Sequence, residues 1–421
     1  MSTKGARASV DTAKAPSVPI SRENVLLLGS LAFGHTLMHC LQYGFLILLP
    51  PIKKHFRLDD IQYGGIESAR SFSSLLVNIP AGAVAALLKR RWAAILASAL
   101  VGIGVAFFIL GAAPNYFVVL VGAALVGVGT SLWHPPALST LSARMPERLG
   151  FALSIHGMGG EIGNFVGPIG MGLLIAAFTW QTASQILIVP LVAVAILLWA
   201  ILRNIPGRES TGGGGKAYGT ALIGLFTNKT VMGLAVARGI EAMGNRATLA
   251  FFSLYLQEKV VNGGLGFSEP SAGLYVALSN FLGIFSQPVM GYLSDKVGRK
   301  WVIVPSLVML GVFISMLAWV GPGIGLIAVV LCIGLFAYSL GAIFQAASID
   351  VTDEKTGAMT IALLFASSGL FGLFSPIIAG VISSTYGIRS VFIYGAAMMV
   401  LAALIVLVLP LGRAKHHARS H

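Results

Sequence analysis

Charge is scarce in this chain. Only 10% of its 421 residues are Asp, Glu, Lys or Arg, where a soluble domain carries about 25%. Acids are the scarcer sign, 15 against 28 bases. Cysteine is nearly absent. Cys40 and Cys332 both lie in apolar runs, which excludes a disulfide framework and a Cys-x-x-Cys metal knuckle. No nucleophile–base set stands at a catalytic spacing, so the chain does not read as an enzyme, and no cofactor is expected. The first 23 residues have no apolar core of the length a secretory signal needs. They are polar, basic and rich in Ala, Ser and Pro, and read as a disordered cytoplasmic tail. Residues 413–421 form a second basic tail; its histidines read as solvated.

Apolar residues are abundant instead, at 56%, with a mean hydropathy of +0.86. The bilayer is therefore the main solvent. Net charge +13 does not point to nucleic acid, because the bases fall in short turns and tails. A membrane-spanning helix needs about 20 apolar residues. Twelve such runs are predicted, at 24–50, 61–88, 92–113, 115–142, 148–178, 180–203, 229–257, 269–294, 300–320, 322–349, 356–384 and 388–412. The fold class is thus all-α integral membrane protein. A polar, glycine-rich stretch at 204–228 divides the runs six and six, giving an N-terminal bundle (24–203) and a C-terminal bundle (229–412). Lys and Arg concentrate in the tails and every second turn. Only Lys53, Lys54, Arg57, Lys259 and Arg389 fall on the other side. That asymmetry places both termini and the linker in the cytoplasm. The turn with Asp350, Asp353, Glu354 and Lys355 is net acidic and is expected to answer the basic loops beside it.

The halves repeat. Gly291–Trp301 and Gly82–Trp92 align without a gap at an offset of 209, with Gly, Arg, a second base and Trp in register. Pro168 and Pro376 are 208 apart. Around Pro168, Gly163 and Gly167 belong to the glycine-rich run Gly159–Gly172 of the fifth helix, whose small residues let a neighbouring helix approach closely, and the proline is expected to bend it.

Ionisable residues at membrane depth are functional candidates. The apolar runs contain His35, His39, Glu67, Arg70, His134, His156, Glu161, Arg238, Glu241 and Arg246. His35 and His39 share a helix face, roughly 16 and 22 Å into the helix at 1.5 Å per residue. They read either as a proton or substrate site or as partners of a neighbouring helix. The same spacing suits a metal, but no further acid or Cys follows at the next turn beyond Cys40, so no metal site is assigned. Glu67/Arg70 and Arg238/Glu241 stand one turn apart and read as local ion pairs. Arg246 has no acid within a turn and suits an anion. Glu161 reads as a protonatable coupling group, or as a partner of Arg70 or His156. His134, before Pro135-Pro136, reads either as a gating residue or as the partner of a freed carbonyl. Trp133, Tyr43, Tyr275, Tyr338 and Gln345 are candidate cavity linings.

Twelve helices in two halves, with Gly291, Leu293, Asp295, Gly298, Arg299 and Lys300 matching Gly-x-Leu-x-Asp-x-x-Gly-Arg-Lys, resemble the major facilitator superfamily. The first copy keeps Gly82, Arg90 and Arg91 but has Ala86 for the acid. Gly163 and Gly167-Pro168 resemble the helix-five signature of its antiporters, with Met171 where glycine is expected. Within the superfamily the chain is similar to the fosmidomycin-resistance exporters, through His35–His39, Gly127–Pro135 and Ser154–Gly160. His39, Pro136 and His156 depart from that group's pattern. The resemblance implies a monomeric secondary transporter in the cytoplasmic membrane. It would work by alternating access, with helices one, four, seven and ten lining the cavity and Gly291–Lys300 acting as a gating loop. Proton-driven export of a small polar or anionic molecule is expected. Uptake of an organic acid or metal complex, and a non-transporting receptor, are the alternatives.

Overall fold

The computed structural model describes residues 20–87, 91–205, 225–352 and 356–411, without the side chains of 78–87 and 358. Lys89 and Arg90 of the first loop copy, Asp353, Glu354 and the tail residues 1–19 and 412–421 lie outside these, as does the side chain of Ala86. The described residues hold no strand. The N-terminal helices are α1 (Arg22–Phe56), α2 (Asp60–Leu87), α3 (Trp92–Gly111), α4 (Tyr116–Arg144), α5 (Leu149–Ala177), α6 (Trp180–Ile186) and α7 (Ile188–Leu202). The C-terminal helices are α8 (Lys229–Gln257), α9 (Glu269–Val297), α10 (Lys300–Met316), α11 (Ile324–Asp350), α12 (Gly357–Leu373), α13 (Ser375–Tyr386) and α14 (Ser390–Val408). The pairs α6/α7 and α12/α13 each form one broken rod, so the rods number twelve among the described residues.

Eight rods are long and apolar enough to span a bilayer by those criteria alone. The other four are α2, α8, α9 and α10. The first two carry Glu67, Arg70, Arg238, Glu241 and Arg246, and α10 has 17 residues. Charge at membrane depth lowers the hydropathy of the helices that carry the candidate site.

Two boundaries differ from the sequence expectation. Helix α1 continues through Pro50-Pro51 to Phe56 and stops at Arg57, which adopts a left-handed conformation at φ 54°. The extra turns carry Lys53 toward the other half. The fifth rod matches its expected run, one helix from Leu149 to Ala177 with Pro168 inside. A break falls in the eleventh rod, at Phe374 just before Ser375-Pro376.

The halves pack alike. In the first, α1 lies on α5, α2 on α4, and α3 on α4 and α7. In the second, α8 lies on α12, α9 on α11, and α10 on α11 and α14. The same pairing in both halves is the internal symmetry announced by the repeated loop. Between halves, α5 meets α9 and α2 meets α13. There the backbones touch. A side chain at Gly64 would strike the Pro376 carbonyl, one at Gly380 the Asp60 carbonyl, one at Gly172 the Glu269 carbonyl, and one at Gly273 the Pro168 carbonyl. All four contacts lie at the end away from the linker. Lys53 adds an ion pair to Glu258 at 3.8 Å, Tyr63 Oη donates to the Ala250 carbonyl at 2.7 Å, and Ser383 bonds Asp60. Partial burial pushes the Glu258 carboxyl up. The Asn262 amide, the Lys259 backbone N–H and the nearby Lys53 and Lys259 ammoniums outweigh that and hold it below its ordinary value. This seal therefore carries its charge at neutral pH. These hydrogen bonds and this ion pair between the halves lie at this end, and others lie at mid-depth.

Candidate functional site

Three polar contacts cross between the halves at mid-depth. Tyr43 on α1 and Tyr338 on α11 meet hydroxyl to hydroxyl at 3.0 Å. Arg246 on α8 donates from Nη1 to Ser71 Oγ on α2 at 2.8 Å. Gln287 on α9 donates from Nε2 to Glu161 Oε1 on α5 at 3.2 Å. Asn164, one turn after Glu161, donates to its other oxygen at 3.2 Å. Glu161 thus takes two amide donors, and neither Arg70 nor His156, the partners expected from sequence, holds it.

The three arginines separate by environment. Arg70 pairs with Glu67, Nε to Oε2 at 2.8 Å, and Arg238 pairs with Glu241. Both pairs neutralise locally, as their three-residue spacing suggests. Arg246 has no carboxylate within ion-pair distance among the described residues; its partner there is the Ser71 hydroxyl. A Cβ on Gly372 would lie 2.6 Å from Arg246 Nε, so that glycine makes the room for the guanidinium.

The four histidines converge in the N-terminal half. Helices α1, α4 and α5 each contribute. His35 Nδ1 lies 2.7 Å from the His156 carbonyl, and its Nε2 lies 3.3 Å from His134 Nε2. His39 Nδ1 lies 2.7 Å from Asn164 Oδ1. The His35 and His156 rings stack at 4.0 Å and 3°. Gly160 lets His35 sit there, since a Cβ would collide with the ring. The sequence reading left the His35/His39 pair without a further ligand; helix packing supplies one from α4. One ring nitrogen each from His35, His39 and His134 lies within 4.8 Å of the others.

The glycines of α5 make the close helix contact expected of them. Gly159, Gly163 and Gly167 lie against Ala32, Thr36 and Cys40 of α1, each pair four residues on from the last. A stripe of small residues is what lets two membrane helices touch closely. It brings the α5 residues His156, Glu161 and Asn164 beside His35 and His39.

The Gly291–Lys300 loop works within its own half. Gly298, at φ 103°, ends α9 in a conformation suited to glycine. Arg299 pairs with Asp295 on its own turn and with Asp350 on α11, Nε to Oδ2 at 2.9 Å; it also donates to Ser294 Oγ at 2.7 Å. Lys300 Nζ donates to the Leu407 carbonyl of α14 at 2.9 Å. Gly291 faces open space. The expected acid from the α11 turn is therefore found in Asp350. Asp295 pairs with Arg299, the N-cap residue of α10, and the loop ties α9, α10, α11 and α14 together without a bond to the other half among the described residues. The Asp295 side chain is 60% exposed and that of Asp350 25%, so water screens the first pair more. Asp350→Asn should lower stability by about 1–3 kcal/mol, and Asp295→Asn by less than about 1 kcal/mol. Thermal melts in detergent measure both; equal losses would refute the ranking.

Asn164, Gln287 and Ser71 were not singled out from sequence. Asn164 and Gln287 are amides inside apolar helices, a signal as informative as a charge once burial is considered. Ser71 carries no such mark.

Similarity to known proteins agrees with this architecture. The chain is 25% identical over 297 residues to the fosmidomycin resistance protein of Escherichia coli (strain K12), covering 69% of this chain and 70% of that one. It is 22% identical over 319 residues to the multidrug resistance protein MdtG of Yersinia enterocolitica, covering 75% of each. In fold it is similar to a bacterial homolog of the human lysosomal transporter Spinster in an inward-facing, unoccupied conformation. That match has a TM-score of 0.72 at 17% identity and covers 93% of this chain and 96% of the other. The nucleoside transporter NupG matches with a TM-score of 0.75 at 13% identity, over 91% of this chain and 99% of the other. The profile of the Major Facilitator Superfamily matches residues 31–259 and 234–421. This chain, a membrane transporter built of two six-helix halves, belongs to the major facilitator superfamily.

Proposed function

We propose that the protein exports a small polar or anionic organic molecule across the cytoplasmic membrane in exchange for protons. Both termini lie in the cytoplasm, and the single chain acts as the transporting unit. The observation that carries the substrate reading is Arg246. It is a guanidinium at the junction of the halves whose neighbouring arginines have carboxylate partners while it has only Ser71. An entering phosphonate or carboxylate accepts two parallel N–H bonds from such a group. Because Arg246 sits on one half and Ser71 on the other, an anion bound between them touches both. A ligand that touches both halves binds the two conformations differently, which is what alternating access requires. The contacts between the halves away from the linker correspond to an inward-facing state, ready to load from the cytoplasm. Glu161, shared between α5 and α9, serves as the proton carrier.

Proteoliposomes with an imposed pH gradient test the reading, with fosmidomycin as the first probe because a relative is named for resistance to it. Wild-type protein should move the probe down its exchange with protons. Arg246→Gln should raise the half-saturating concentration about 10- to 100-fold, the loss of one charge-assisted hydrogen bond. Unaltered half-saturation in that variant would remove Arg246 from the site.

A further inference from the structure

We propose that His35, His39 and His134 bind one divalent transition-metal ion of the imidazole-preferring class, for which zinc is the test ion. Metal-binding histidines characteristically use one ring nitrogen for the ion and donate the other N–H to an oxygen acceptor. His35 Nδ1 faces the His156 carbonyl at 2.7 Å, so its proton is placed there and its Nε2 is a bare lone pair. His39 Nδ1 faces Asn164 Oδ1 at 2.7 Å. Asn164 is held in that orientation because its Nδ2 donates to Glu161. His39 Nε2 is then a second bare lone pair, and it is buried with no partner.

His134 supplies the third. Its Nε2 lies 3.3 Å from His35 Nε2. Two nitrogens on one tetrahedral ion, each bonded at about 2.0–2.1 Å, stand about 3.3 Å apart. The pair is thus already spaced as two ligands of one ion. His39 needs to close by about 1.5 Å to join them, from the 4.8 Å limit of the cluster to that edge. A rotation of one side chain covers that distance. Three imidazoles leave a fourth position open. His156, stacked on His35, is not one of the three clustered ligands.

A neutral His35 presents a lone pair toward His134 across 3.3 Å. An ion between the rings, or a proton carried on His134 Nε2, meets that lone pair. What favours the ion over the proton is the third nitrogen: a proton is satisfied by two lone pairs, and His39 Nε2 would stay buried and unpaired.

The test uses the full chain, purified in detergent without a polyhistidine tag, stripped with chelator, then exposed to zinc and desalted. One tightly held zinc per chain is expected by elemental analysis, falling to near zero in His39→Ala and His134→Ala. Because the C-terminal tail carries His416, His417 and His421, the variant with all three replaced by alanine is measured beside them and should keep the ion. Zinc that survives His39→Ala and His134→Ala, or that leaves with the tail histidines, overturns the proposal. Cobalt(II) added to wild-type protein gives a readout independent of any variant's folding. One equivalent should produce the strong visible bands of a four-coordinate site. Their absence at stoichiometric cobalt would overturn the site and leave a proton on His134 Nε2 in its place.

Discussion

Leucine at Gly167 should leave no correctly assembled N-terminal bundle. A side chain at that position meets the Cys40 backbone itself, not the tip of a side chain that can swing away. The only relief is to push α1 and α5 apart along a contact that also includes Ala32 with Gly159 and Thr36 with Gly163. Overpacking a yielding core costs about 1–3 kcal/mol; a rigid backbone contact should exceed that and approach the whole stability of a marginal bundle. Gly157 is the control. It lies on the same helix with nothing within 4 Å of a Cβ, so Gly157→Leu should be neutral or should stabilise the helix by about 0.5–1 kcal/mol. Size-exclusion profiles and melting temperatures in detergent separate the cases. A Gly167→Leu protein that elutes and melts like wild type would show that the α1–α5 contact is not tight.

That stripe also shows where reading the chain stops. The twelve rods, their grouping and the repeated loop were legible because hydropathy and period are local properties of a sequence. The glycines at 163 and 167 were visible too, and read both as small residues that let a helix approach closely and as a hinge beside Pro168. Their use depends on α1, more than a hundred residues away, and nothing local says which helix will lie against them. The histidines failed in the same way. His35 and His39 were read as a pair because one helix turn relates them; His134 and His156 arrive from two other helices, through packing. The ion pairs were the easier case. Glu67 with Arg70 and Arg238 with Glu241 close within a turn, so spacing alone announced them. Arg246 stood out by the same arithmetic, as the guanidinium with no acid nearby. Its hydroxyl partner across the interface did not. The loop divided along this line as well. Arg299 and its acidic partners were readable as charges, but their confinement to one half is a matter of tertiary arrangement.

Replacing Glu161 with glutamine should abolish proton-driven transport while leaving substrate exchange. An ionised carboxylate is an acceptor on both oxygens, and here both are used, one by Asn164 and one by Gln287. The second bond joins α5 to α9 and so joins the halves. When the carboxylate takes a proton, one oxygen becomes a donor and can no longer receive an amide N–H. If that oxygen is the one facing Gln287, the bond across the interface is lost. Proton binding then favours the arrangement in which α5 and α9 part, and proton release favours the one seen here. A difference of one charge-assisted hydrogen bond, about 1.5–3 kcal/mol, shifts the ratio of two conformations by about 10- to 150-fold. Glutamine has a fixed amide in place of the switch, so the ratio no longer follows pH. Uphill accumulation in a pH gradient should fall to background in Glu161→Gln. Exchange of labelled for unlabelled substrate, which needs no net proton movement, should persist and lose its pH dependence. Glu161→Asp should recover part of the coupling, since it keeps the titrating group on a shorter stem. Wild-type accumulation in Glu161→Gln would assign the proton to another residue, and loss of exchange along with accumulation would make Glu161 a substrate contact instead.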